Sequence, residues 1–149
     1  MNRTEQVELT TVCLIYSGDK ILLQNRAKED WKGYALPGGH VEAGESIVAA
    51  TIREMREETG LTIQNPRLCG IKQFPTESGR YIVFLFKTDE FTGKLVSSDE
   101  GEMEWVKRGE LASYQTVDNL EDMLRVMEDD VLSEFQYVVE DDVWKVQIY

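Results

Sequence analysis

The stretch from Gly38 to Leu61, GGHVEAGESIVAATIREMREETGL, constrains this chain more than any other. Pro37 holds the residue before it extended, and Gly38-Gly39 permits a tight backbone path after it. An acidic loop follows. Residues 46–59 then carry helical signals, with Ser46 as an N-cap and Gly60 as a C-terminal stop. At about 100° per residue, Val48, Ile52, Met55 and Thr59 fall on one face, which is expected to pack on a sheet. Glu54, Glu57 and Glu58 fall on another arc, with the small Ala50 among them. Spaced i, i+3 and i+4, these carboxylates are neighbours, and each like-charged pair costs about 0.2–0.5 kcal/mol on an exposed helix. If they are partly buried the cost rises, and one must protonate or find a cation. Arg53 and Arg56 offer partial neutralisation. Oxygen ligands clustered without His or Cys suit Mg²⁺ or Mn²⁺. A merely solvated acidic helix face is the competing reading of the three glutamates on their own.

The flanking sequence supplies a sheet. Residues 7–16 (VELTTVCLIY) and Lys20 to Arg26 read as a hairpin turned at Ser17-Gly18-Asp19. Residues 27–33 form a polar loop interrupted by Trp31. Leu68 to Phe74 and Arg80 to Thr88 read as strands around a Pro75–Gly79 turn, the second apolar enough to be central. Phe91 to Lys94 reads as a turn, Ser97 to Glu104 as an acidic loop, Trp105-Val106 as a short strand and Glu110 to Ala112 as a brief helix. Leu120, Met123, Leu124 and Met127 have helical spacing and place an amphipathic helix over Leu120–Glu128. The tail FQYVVEDDVWKVQIY reads as a hairpin with an Asp141-Asp142 turn. Hairpins at both ends with helices between them predict an α/β fold, a mixed sheet with helices on its faces.

At 149 residues with no repeat or linker, the chain is expected to be a single domain over 1–149. The net charge of −12 argues against stable nucleic-acid binding, because a polyphosphate backbone would be repelled. Any phosphate site must be neutralised locally. No apolar run approaches the ~20 residues that span a bilayer, so no membrane partner is expected. Cys13 and Cys69 sit in apolar stretches without a CxxC or His partner, which predicts reduced core thiols and a cytoplasmic location. Monomer and homodimer are both open.

Read from Gly39, the central stretch matches G-x5-E-x7-R-E-U-x-E-E-x-G-U at Gly39, Glu45, Arg53, Glu54, Met55, Glu57, Glu58, Gly60 and Leu61. With residue frequencies near one in fifteen, a chance match is on the order of one in a billion per start position. The stretch is thereby identified as the signature of the Nudix hydrolases, and the flanking elements fit that family's three-layer α/β/α sandwich. The resemblance implies hydrolysis of a nucleoside diphosphate linked to another moiety, X, usually with Mg²⁺. It implies that Glu54, Glu57 and Glu58 bind metal, with the carbonyl of Gly38 or Gly39 as a further ligand. Arg53 and Glu45 would pair and hold the loop to the helix, and one glutamate would orient or deprotonate the attacking water. Glu54 is the first choice for that role. Glu100 is the leading candidate outside the motif, with Glu102 and Glu104 as rivals. No Walker A lysine follows Gly38-Gly39, which disfavours a P-loop NTPase.

The motif does not choose X. The layout most resembles the compact MutT-type 8-oxo-dGTP diphosphatases, which implies a small-molecule purine nucleoside triphosphate as substrate. In that comparison Arg26, at the end of the second strand, is a candidate to grip a terminal phosphate. Trp31 and Leu36 are candidates for base contact, with core packing as the alternative for each. Asn119 or Asp118 is a candidate reader of a purine edge. Pro75, 14 residues after Leu61, keeps ADP-ribose as the second reading, and a nucleotide-sugar or capped-RNA substrate stays open beside it. A non-catalytic nucleotide sensor is the third. His40, the sole histidine, is expected to face solvent.

Overall fold

The structure, a computed structural model, describes residues 2–27 and 31–149. The expected 27–33 loop therefore lies partly outside the described residues. Eleven strands and two α-helices are defined among them: β1 (Gln6–Ser17), β2 (Lys20–Arg26), β3 (Gly33–Ala35), β4 (Gly38–His40), α1 (Ile47–Thr59), β5 (Leu61–Gln64), β6 (Arg67–Pro75), β7 (Gly79–Thr88), β8 (Glu90–Gly93), β9 (Gly101–Lys107), α2 (Leu120–Glu128), β10 (Glu134–Glu140) and β11 (Val143–Ile148). A 3-10 turn at Arg108–Ser113 precedes α2.

The sheet is mixed. Its order is β11-β10-β6-β7-β1-β2-β3, with β4 beside β1 and β9 beside β2. β1 runs parallel to β7 over ten residues and antiparallel to β4 through Thr10, Thr11 and Val12, while its last residues turn into β2. Side chains alternate across these strands, so each feeds two cores. Leu14, Ile21, Leu23, Val83 and Leu85 pack with Leu120, Met123, Leu124 and Met127 of α2. Cys13, Ile15, Leu22 and Phe86 pack with Met55 of α1 and Leu61 and Ile63 of β5. One helix covers each face, which is the α/β/α sandwich. Burial on both faces explains why β1 and β7 read as nearly continuous apolar runs.

The sequence-based bounds for α1 and α2 hold. Ser46 Oγ accepts from Ala49 N, and Gly60 closes α1 at φ 81 with its N–H donating to Arg56 O. The packed face of α1 differs from the expected one. Met55 and Thr59 are buried as expected and Ile52 packs against the same core, but Val48 is exposed and Ala50, Thr51 and Glu54 are buried. A glutamate thus takes part of the sheet-facing arc, and small residues beside it let the helix approach.

Three further expectations are corrected. Phe91 to Gly93 is not a turn but part of β8, which pairs with an unanticipated β5. The acidic loop ends earlier, because Gly101–Glu104 already belongs to β9, and the short Trp105-Val106 strand is seven residues long. These segments alternate charge with apolar residues on edge positions, so local composition looks like loop while the pairing to β2 makes strand. The C-terminal hairpin turns as expected at Asp141-Asp142, both at positive φ. Both cysteines are free, and burial raises their pKa, Cys69 to about 11.

Candidate active site

β4 and α1 build the centre of the site. Pairing with β1 sets Gly38 and Gly39 against Val12 and Thr11, and the loop through Glu45 returns the chain as α1 beneath that edge. A Cβ on Gly39 would stand 2.3 Å from the Glu54 carboxyl carbon, so the missing side chain is what admits the carboxylate. A Cβ on Gly38 would meet Thr11 O at 2.2 Å.

Arg53 organises the acidic cluster. Its Nε and Nη2 donate to the two oxygens of Glu45 at 2.8 and 3.0 Å, a bidentate pair. Nη2 also donates to His40 O, and Nη1 donates to Glu54 at 3.0 Å and Glu57 at 3.2 Å. One guanidinium therefore ties loop, strand and helix together. It is Arg53, not Arg56, that offsets the glutamate repulsion: Arg56 is exposed, and among the described residues no ion pair involves it. Arg53 hydrogen bonding, with the Glu42 N–H behind it, holds the Glu45 carboxyl down at about 2. Glu54 shifts the other way. Burial raises its pKa, aided by Glu57 and Glu58, while Arg53 opposes the rise.

Glu58 turns from this cluster toward β2. Its Oε2 accepts from Ser98 Oγ at 3.0 Å and from Gln24 Nε2 at 3.3 Å. Ser98 Oγ also accepts from Glu100 N, so the turn before β9 carries Glu100 to the Glu58 side of the site. Gln24 and Ser98 escaped the sequence reading, since nothing local distinguishes a buried strand glutamine or a loop serine from any other. Glu104 accepts instead from Tyr34 Oη, and Glu102 is exposed on β9.

A cleft of about 800 Å³ opens on the α2 side of the sheet next to Gly38, Gly39 and His40. The anticipated substrate contacts Arg26, Trp31, Leu36, Asp118 and Asn119 all line it, as does Glu100, the catalytic candidate outside the motif. The Arg26 guanidinium lies 4.4 Å from the Trp31 ring centroid, and its Nε donates to Trp31 O. Trp31 is half exposed and Leu36 is buried, so Leu36 serves the core as well as the cleft wall. Asn119 is already engaged: its Oδ1 accepts from Tyr137 Oη and its Nδ2 donates to Asp122. His40 is exposed near Glu8. The opposite wall, Lys72, Phe74, Tyr81, Tyr137 and Trp144, was not foreseen as a site. It assembles from β6, β7, β10 and β11, segments far apart in sequence.

Among the described residues no group of three His, Cys, Asp or Glu side chains converges at metal-binding spacing. Arg53 stands between Glu54 and Glu57, and Glu58 faces Ser98. The donor set is nevertheless all oxygen, with the Glu54 carboxylate against Gly39, which fits a hard divalent cation in chemistry.

The fold is an α/β/α sandwich: a mixed sheet between two helices, with a glutamate helix locked by arginine under a Gly-Gly edge and an open cleft alongside. The NUDIX domain family profile matches residues 7–128, and the chain belongs to that family. It is 40% identical over 105 residues to the Nudix hydrolase YvcI of Bacillus subtilis, covering 66% of this chain and 65% of the relative. It is 39% identical over 90 residues to an ADP-ribose pyrophosphatase of Methanocaldococcus jannaschii, covering 58% of this chain and 53% of that protein. The chain thus spans less than two thirds of the length of either relative. Among solved structures, a MutT protein from Bacillus halodurans superposes with a TM-score of 0.78 at 30% identity, covering 95% of this chain and 97% of that one.

Proposed function

We propose that the chain hydrolyses a nucleoside diphosphate linked to X, and specifically a purine nucleoside triphosphate, oxidised forms included, to the monophosphate and pyrophosphate. The carrying observation is the Glu54 carboxylate seated against Gly39, a residue that itself lines the cleft, with Glu57 and Glu58 on the same helix. Glu54, Glu57, Glu58 and a carbonyl of Gly38 or Gly39 would hold Mg²⁺ or Mn²⁺. Bound there, such ions lower the pKa of water and offset charge on the leaving phosphate. The chain's own residues do the rest. Arg53 positions the loop and Glu54. Glu54, packed against Gly39 and held by Arg53, is the first choice to orient or deprotonate the attacking water. Glu100 is the second candidate for that role, being at the cleft and linked to Glu58 through Ser98. Arg26, at the end of β2 in the cleft wall and over the Trp31 ring, is the candidate to grip a terminal phosphate.

ADP-ribose is the second reading, favoured by the M. jannaschii relative's name. A panel of nucleoside triphosphates, ADP-ribose and nucleotide sugars, assayed with Mg²⁺ for phosphate and pyrophosphate, separates the two. Pyrophosphate from triphosphates supports the first; AMP from ADP-ribose alone replaces it with the second. Binding without turnover anywhere makes the chain a sensor. Glu57→Gln and Glu58→Gln are each expected to remove most turnover with the fold intact. Full activity in both refutes the metal assignment.

A further inference from the structure

Lys72 is an unusual group in a chain of net charge −12. It lies on β6 in the cleft wall, half-buried, with its Nζ 5.3, 5.4 and 5.9 Å from the ring centroids of Phe135, Tyr137 and Phe74. Among the described residues no acceptor lies within hydrogen-bonding reach of it and no carboxylate pairs with it. Burial depresses its pKa, with no neighbouring charge to oppose the shift. The three ring faces supply a cation–π environment that keeps the ammonium tolerable there, yet its three N–H donors have only water to bond. Such a donor in a cleft wall is an unfilled valence for a ligand.

Its position says which part of a nucleotide it meets. Strand register aligns Lys72 with Val83, Val83 with Thr10, and Thr10 with His40, in one row across β6, β7, β1 and β4. Three strand spacings, about 14 Å, separate Lys72 from the Gly39-His40 edge where the diphosphate sits in the proposed function. That is the scale of a nucleotide laid along the cleft, with its base at the far wall. The wall there is aromatic: Phe74 and Tyr81 stack at 4.7 Å, and Tyr137 and Trp144 meet edge to face at 5.5 Å. Of the other polar groups at this end, Asn119 and Tyr137 already bond each other, and Tyr81 and Asp118 also line the cleft.

We propose that Lys72 is a specificity-determining residue whose ammonium donates to an exocyclic oxygen on the edge of the bound base, so that 6-oxopurine nucleotides are preferred over 6-aminopurine ones. A 6-oxopurine presents O6 beside N7, two acceptors for one ammonium. Adenine presents an amino donor beside N7, which sets donor against donor. This inference rests on the reading that the cleft holds a nucleotide.

The test is calorimetric binding of the non-hydrolysable α,β-methylene analogues of ITP and ATP with Mg²⁺, since hypoxanthine and adenine differ at the 6-position. Wild type is expected to bind the inosine analogue about ten-fold or more tighter. Lys72→Met, apolar and of similar length, should bring the two affinities within about two-fold, while Lys72→Arg retains the preference; thermal melting verifies that both variants fold. A wild-type ratio near one, or a ratio unchanged in Lys72→Met, overturns the proposal. Equal weakening of both analogues also overturns it, placing the ammonium on a phosphate instead. If triphosphates are turned over but the ratio ignores Lys72, this inference alone fails. If no nucleotide is bound or hydrolysed, the proposed function fails and this inference with it.

Discussion

Gly39→Ala separates the site from the fold that carries it. The new Cβ would stand 2.3 Å from the Glu54 carboxyl carbon and 2.3 and 2.5 Å from its oxygens, whereas ordinary contact begins at 3.4 Å. The β4 backbone cannot yield easily, because Gly39 pairs with Thr11 inside the sheet. The carboxylate must therefore retreat by about 1 Å, and it is the end of a flexible side chain. The stability cost is accordingly near the lower end of overpacking penalties, about 1 kcal/mol, or roughly 2–4 °C in Tm for a domain of this size. The catalytic cost is much larger, since a 1 Å misplacement of a reacting or ligating group can cost about a hundred-fold in rate. Gly38→Ala gives the contrast: its Cβ meets the Thr11 carbonyl oxygen at 2.2 Å, and that atom belongs to the backbone. A cost of about 3 kcal/mol is expected there. Pyrophosphate release and thermal melting on the two variants form the assay. Gly39→Ala within about three-fold of wild-type kcat would refute the claim that Glu54 at this edge is part of the catalytic machinery.

Other outcomes follow from the same geometry. Because Arg53 lowers the folded-state pKa of Glu45 to about 2, its contribution is present above the unfolded carboxylate range and is lost as pH falls toward 2. Glu45→Gln should flatten the acid limb of the Tm profile between about pH 4 and 2; an unaltered limb contradicts the pairing. Arg53→Lys keeps the charge but loses the fork to Glu45, and a fall of about ten- to hundred-fold in turnover is expected, read by steady-state kinetics. Asp141→Asn with Asp142→Gly relieves two residues at φ 52 and 63 and should raise stability by about 0.5–1 kcal/mol in urea unfolding.

The sequence alone determined the parts whose physics is local. Caps set the bounds of α1 and apolar spacing those of α2, turn chemistry placed the Asp141-Asp142 hairpin, and the family resemblance implied the Glu45–Arg53 pair. Two-faced burial was legible in β1 and β7 because their apolar runs are continuous. Tertiary structure decided what depends on partners distant along the chain. β8 and the start of β9 are strands because of what pairs with them, and their own residues look like turn and acidic loop. The face of α1 was shifted for the same reason: Val48 is the better apolar residue, but the Gly39 edge leaves room for Glu54. Glu58 found Gln24 and Ser98 only through folding, and the wall of Lys72, Phe74, Tyr81, Tyr137 and Trp144 gathers four strands into one cleft. Spacing along one helix shows which carboxylates are neighbours, because helical geometry is set within a few residues. It cannot show what lies opposite them, because that is fixed by strand order and burial across the whole chain.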